Sequence, residues 1–213
     1  LTVSLTSKPR EVTISYDGAQ LDVTVAGQQA VSLPLTDISA ATDADGRAWV
    51  GVIGRTAVAY QAHSVSEFVW KDSLLAAEWT LVGDAAMLTG RGPMVLNPDA
   101  EWSDGAGWLT EKQPVSQGFV ARYVTTMASA QANTGDGVAF VVQNLGLAEE
   151  GNHTGLGGGD LAVSVDTYQN NATQSGNDVV VFLDGTELAR APVPGDFTTA
   201  PHVVEVTYAS STL

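Results

Sequence analysis

Two neighbouring stretches decide the fold: Gly135-Asp-Gly-Val-Ala-Phe-Val-Val-Gln143 and, one loop later, Gly155-Leu-Gly-Gly-Gly-Asp-Leu-Ala-Val-Ser-Val-Asp-Thr-Tyr-Gln-Asn170. Val138-Ala-Phe-Val-Val142 is continuously apolar, the pattern of a strand buried on both faces, and residues 161–165 form a second apolar strand. Both strands end in turns crowded with glycine and oxygen-bearing side chains. Such an arrangement suits a hard cation or a polyhydroxylated ligand.

Outward from this centre the pattern stays β. Val12-Thr-Ile-Ser-Tyr16 and Leu21-Asp-Val-Thr-Val25 alternate around an Asp17-Gly18 turn, a hairpin signal. Pro34 demotes the run at 30–35 to an edge or a strand end, because proline cannot donate to a ladder. Gly118-Phe-Val-Ala-Arg-Tyr-Val124 places Phe119, Ala121 and Tyr123 on one face. Ser73-Leu-Leu-Ala-Ala77 is the one stretch where a turn of helix is plausible, and it is too short to persist alone. About a dozen short strands at regular turn spacing, without sustained helical periodicity, predict an antiparallel sandwich.

The 213 residues are 44% hydrophobic and 15% charged, with 22 glycines. That is the composition of a packed globular protein, and a single all-β domain over residues 1–213 accommodates the length. Cysteine is absent, which excludes a disulfide framework and a thiolate zinc cluster. A net charge of −15, from 24 acidic against 9 basic residues, speaks against a nucleic-acid partner, since phosphate binding needs clustered Lys and Arg. The acid is scattered, which reads either as a solubilising surface or as a calcium-rich extracellular setting. No apolar run approaches a membrane span. Because Leu1-Thr-Val-Ser-Leu5 already looks like a strand, the chain is expected to be part of a longer polypeptide.

Asp136-Gly-Val-Ala-Phe140, the glycine loop 155–159, Val165-Asp-Thr-Tyr-Gln-Asn170 and Trp79-Thr-Leu-Val-Gly-Asp84 together resemble the legume-lectin (L-type lectin) family, particularly its bacterial members. The resemblance covers nearly the whole chain in an altered order. Residues 1–70 resemble the family's usual C-terminal segment, and residues 71–213 its usual N-terminal part. It implies an all-β, concanavalin-A-like jelly-roll sandwich of antiparallel strands in circularly permuted order. Arg10-Glu-Val-Thr-Ile-Ser-Tyr16 and His202-Val-Val-Glu-Val-Thr-Tyr208 read alike, as they would if two tandem copies had been trimmed at both ends. One copy is then expected in the family position, and the other at an edge or against residues 1–5. A fragment of a tandem array and a domain split around an insertion remain alternatives.

The resemblance also implies a site. Asp166, the backbone carbonyl of Tyr168 and Asn170 match the family's calcium ligands, and alternate residues of an extended segment do present oxygens to one side. Asp178 would complete the shell; the alternative is a hydrogen-bonded Asx turn that holds the loop unaided. Ser164 and Asp178 stand where the family's transition-metal site has a glutamate and a histidine, so no transition metal is expected. Asp136 matches the aspartate that accepts from sugar hydroxyls, Gly157 or Gly158 the backbone donor, and Asn170 an amide donor. The variable specificity loop would be Arg55-Thr-Ala-Val-Ala-Tyr-Gln61, with a stacking face from Tyr60 and hydrogen bonds from Arg55 or Gln61.

Catalytic patterns fare worse. His63, His153 and His202 make no metal-binding spacing. Residues 161–168 offer one aspartate where a glycosidase would need two carboxylates, and Glu149 and Glu150 are adjacent and would point apart. A Gly-x-Ser-x-Gly elbow is absent. The expectation is therefore a non-catalytic carbohydrate-binding module of a larger bacterial extracellular or surface adhesin. Its partners would be a glycan or polysaccharide and neighbouring domains of the same polypeptide. The rival is a structural or spacer module of an adhesin that has lost sugar binding.

Overall fold

The alternating run near the N-terminus forms β1 (Arg10–Tyr16), hairpinned to β2 (Gln20–Val25) and followed by β3 (Gln28–Pro34). After a 3-10 turn at Ser39–Ala41 come β4 (Arg47–Arg55), β5 (Ala62–Trp70), β6 (Ser73–Leu74), β7 (Trp79–Gly83) and β8 (Ala86–Met87). The chain continues as β9 (Met94–Asn97), β10 (Asp104–Leu109), β11 (Gln113–Pro114) and β12 (Phe119–Ala128). It closes with β13 (Gly137–Gln143), β14 (Asp160–Asp166), β15 (Asp178–Leu183) and β16 (Thr186–Pro192). These strands come from a computed structural model that describes residues 10–71, 73–74, 78–88, 93–129, 134–169 and 174–193.

The strands form two antiparallel sheets. The front sheet runs β3-β2-β1-β12-β5-β9-β8 with β6 on β5; the back sheet runs β16-β15-β14-β13-β4-β10-β7 with β11 on β4. Together they make a sandwich of jelly-roll character. As Pro34 predicts, β3 is an edge strand. The expected helical turn at 73–77 is not seen in its described part: Ser73 and Leu74 pair with Trp70 and Val69, because the free edge of β5 offers ladder hydrogen bonds that a single isolated turn cannot match. Of the two similar strands, Glu11–Tyr16 lies in the middle of the front sheet, paired with both β12 and β2. Residues 202–208 and 1–5 lie outside the described residues.

Period-2 alternation sorts the side chains between two hydrophobic layers. Val138, Phe140 and Val142 of β13, with Leu161, Val163 and Val165 of β14, face the front sheet in the main core. Their neighbours Ala139, Val141 and Ala162 face outward and form a second cluster with Ile53, Ala106 and Trp108. The loop 144–159 covers that cluster through Leu147 and Leu156, and Trp108 Nε1 donates to the Glu149 carbonyl at 2.8 Å. Hence β13 and β14 are buried along their whole length.

Phe119 joins the layers. Its ring lies 5.2 Å from Trp70, 5.8 Å from Tyr16 and 5.8 Å from Phe140 across the sandwich. Truncation to alanine would leave a void among three aromatic rings that the closed sheets cannot fill. Phe119→Ala is expected to cost about 3–5 kcal/mol, read as a lower urea midpoint at unchanged slope.

Candidate functional site

At one end of the back sheet the register brings Arg55, Gly137, Asp166 and Asp178 into one row. Asp166 follows outward-facing Ala162 in alternation, so it points away from the main core. Arg190 of β16, flanked by Ala189 and Ala191, which pack on that core, points outward beside it. The covering loop then delivers His153 to the same end, with its Nδ1 3.7 Å from Asp136 Oδ2.

Asp136 is held through its backbone. Its N–H donates to the Arg55 carbonyl at 3.0 Å, and its own carbonyl accepts from the Thr167 N–H at 2.8 Å and hydroxyl at 3.1 Å. The Gly135–Asp136 peptide is cis. A Cβ at Gly135 would stand 3.1 Å from the Tyr168 side chain and 3.3 Å from Ala59, so a glycine there lets half-buried Tyr168 and the 56–61 loop close on the aspartate. Burial raises the Asp136 pKa; His153 and Arg55 oppose the rise and Asp166 adds to it. Burial lowers the His153 pKa; Asp136 opposes this, while Arg55 and Arg190 lower it further.

Not every expected residue joins this cluster. Arg55 is half-buried on it and Tyr60 is half-buried in the 56–61 loop, but Gln61 is fully buried. Its Nε2 donates to Thr167 Oγ1 at 2.6 Å, so it braces the site from within and does not face a ligand from the specificity loop. Gly157 and Gly158 are displaced further. They precede Asp160, which pairs with Gln143 at the far end of β13, and a Cβ on Gly185 would lie 2.5 Å from the Gly157 carbonyl oxygen. A seven-residue strand separates them from Asp136, roughly 20 Å. The backbone donor role expected of them is therefore not available at Asp136: the apolar outer face draws the loop back across the sheet, and the segment around His153 stands there instead. Asn170 lies outside the described residues.

The carboxylates expected to bind calcium do meet. Asp166 Oδ1 accepts from the Tyr168 N–H at 3.0 Å, an Asx turn, and Asp178 Oδ1 accepts from the Ser175 hydroxyl at 2.5 Å. Between them stands Arg190, with Nη1 3.4 Å from Asp166 Oδ2 and 3.1 Å from Asp178 Oδ2. Every oxygen of the two carboxylates thus faces a donor of this chain, and the positive Arg190 guanidinium stands between them where a calcium ion, which takes 6–8 oxygen ligands, would have to sit. Among the described residues, no three His, Cys, Asp or Glu side chains converge as a metal-binding group. As placed, these residues do not fit calcium.

Three contributors were missed in the sequence: His153, Arg190 and Trp102. Trp102 is 64% exposed and adopts a left-handed backbone, φ 54°, and its N–H donates to the Ala57 carbonyl at 3.2 Å. Thr56 Oγ1 ties the same loops by donating to the Ala100 carbonyl at 2.7 Å. With 63%-exposed Val58, Trp102 makes an apolar step on this rim. A tryptophan inside the turn-rich segment Asn97-Pro-Asp-Ala-Glu-Trp102 was the available signal, since an aromatic in a polar loop lacks a core position to fill.

Beneath the rim, His63 is fully buried and its Nδ1 lies 2.6 Å from Asn97 Oδ1. Asn97 Nδ2 donates to the Gln61 and Pro98 carbonyls, which fixes Oδ1 as the acceptor and His63 Nδ1 as the donor. Among the described residues His63 Nε2 has no partner, so protonation there would bury an unsatisfied charge. Burial pushes the His63 pKa down to about 4. The unfolded chain therefore binds this proton more readily, and stability falls as pH drops from about 6.5 towards 4, by about 3 kcal/mol. The measurement is the difference between wild-type and His63→Gln unfolding free energies across that range, in which the opposite contributions of raised Asp136 and Asp166 cancel. In comparisons with known proteins, no family model matches this chain and no curated protein matches it.

Proposed function

We propose that this protein is a non-catalytic, lectin-like module that binds a carbohydrate at the Asp136 rim, as a part of an extracellular or cell-surface bacterial adhesin. The observation that carries the reading is a carboxylate and an exposed tryptophan on one rim, separated by the 56–61 loop. Asp136 is 9% exposed and Trp102 64%. Sugar rings present hydroxyls at their edges and apolar C–H faces, and they are bound by this combination of acceptor and aromatic platform. Arg55, His153 and Tyr168 add donors around the acceptor. The legume-lectin resemblance in the sequence supports the same reading.

One observation favours a second reading, that of a structural module without a sugar site. The Asp136 backbone is committed to Arg55 and Thr167, and Gly157 and Gly158, the backbone donors that the resemblance implies, stand at the far end of the sheet.

A glycan array probed with the folded protein separates the two. Saturable binding to a subset of glycans is expected, weakened about tenfold or more by Asp136→Asn through loss of a charged acceptor and about tenfold by Trp102→Ala through loss of the stacking face. A folded protein that retains no glycan would leave the structural module as the reading.

A further inference from the structure

The Asp166–Arg190–Asp178 cluster joins the ends of β14 and β15 to β16, at the place where the sequence resemblance puts a cation. We infer that Arg190 is that cation: a guanidinium built into β16 takes the position of a metal ion between Asp166 and Asp178. The inference does not rest on the carbohydrate reading.

Three features carry it. Arg190 Nη1 contacts both carboxylates at once, at 3.4 and 3.1 Å, so one positive group bridges two strands as a divalent ion would. The opposite side of the guanidinium is clamped by Glu187, with Nε 3.2 Å from Oε1 and Nη2 3.0 Å from Oε2. This paired geometry orients the planar fork toward the aspartates. The register explains why β16 supplies the group: Arg190 pairs with Val180 and Val180 with Ser164, so Arg190 rises from the row next to Asp166 and Asp178 on the same outer face. Ser164, in that same row of the register, has a buried hydroxyl with no partner among the described residues. A carboxylate at that position would instead have added metal-binding charge. A guanidinium carries its charge at any ordinary pH, and Glu187, Asp178 and Asp166 surround it with negative charge.

The test is thermal unfolding of the 213-residue chain in chelator and across a calcium titration, with magnesium as control, for wild type, Arg190→Ala, Arg190→Lys and the double variant Arg190→Ala with Asp178→Asn. The wild-type midpoint is expected to be the same in chelator and in calcium. Arg190→Ala is expected to melt about 5 °C or more lower, because two carboxylates lose their shared partner. It should also gain a saturable calcium response that wild type lacks and that the double variant loses. That gain would not follow from a merely structural ion pair. Arg190→Lys keeps the charge without the fork and should lie between; with the wild-type titration it decides the matter if Arg190→Ala does not fold. A wild-type midpoint that rises saturably with calcium but not with magnesium would overturn the inference. So would an Arg190→Ala variant that melts like wild type, or one that melts lower without acquiring a calcium response.

Discussion

The structure depends on the burial of β13 and β14 from both sides. A sandwich strand normally needs one apolar face, but here the outward residues Ala139, Val141 and Ala162 are as enclosed as the inward valines. Apolar surface of this kind must be covered, and the loop 144–159 covers it. That constraint shapes the site, because a loop drawn back over the sheet carries His153 to Asp136 and then has to return to Asp160. The glycines that close the return therefore lie far from the chemistry.

Charge is handled locally in a strongly acidic chain. Arg190 neutralises a paired row of aspartates, and Arg122 donates to buried Glu11 at 2.8 Å. Burial lowers the His153 pKa, and neighbouring Asp136 opposes that shift. The rim is thus a set of polar groups held in fixed orientation by backbone bonds and by one guanidinium, with Trp102 and Val58 as an apolar step alongside. Both Asp166 and Asp178 in the row already have structural partners.

Much of this was legible in the residues. The hairpin at 12–25, the edge position of Pro34, the one-faced alternation of Phe119, Ala121 and Tyr123, and the two-sided burial of 138–142 all follow from period-2 patterning and turn chemistry. Asp136, Asp166, Tyr168 and Asp178 were singled out by the legume-lectin resemblance, and they share an edge because the strands they end are neighbours in one sheet. The misplaced residues share another cause. Gln61 looked like a loop residue, yet its amide is needed inside by Thr167. Gly157 and Gly158 were assigned by loop order, which does not tell which part of a long loop crosses the sheet.

The sequence by itself determined the fold class, the strands, the layers of the core and the acidic character of one sheet end, because alternation and turn residues act over a few positions. Only the tertiary structure decided that Arg190 stands between Asp166 and Asp178, that His153 faces Asp136 and that Trp102 is on the same rim. Those neighbours lie tens of residues apart in several cases, and their meeting depends on register across five strands and on the path of one covering loop, neither of which is encoded in any local pattern.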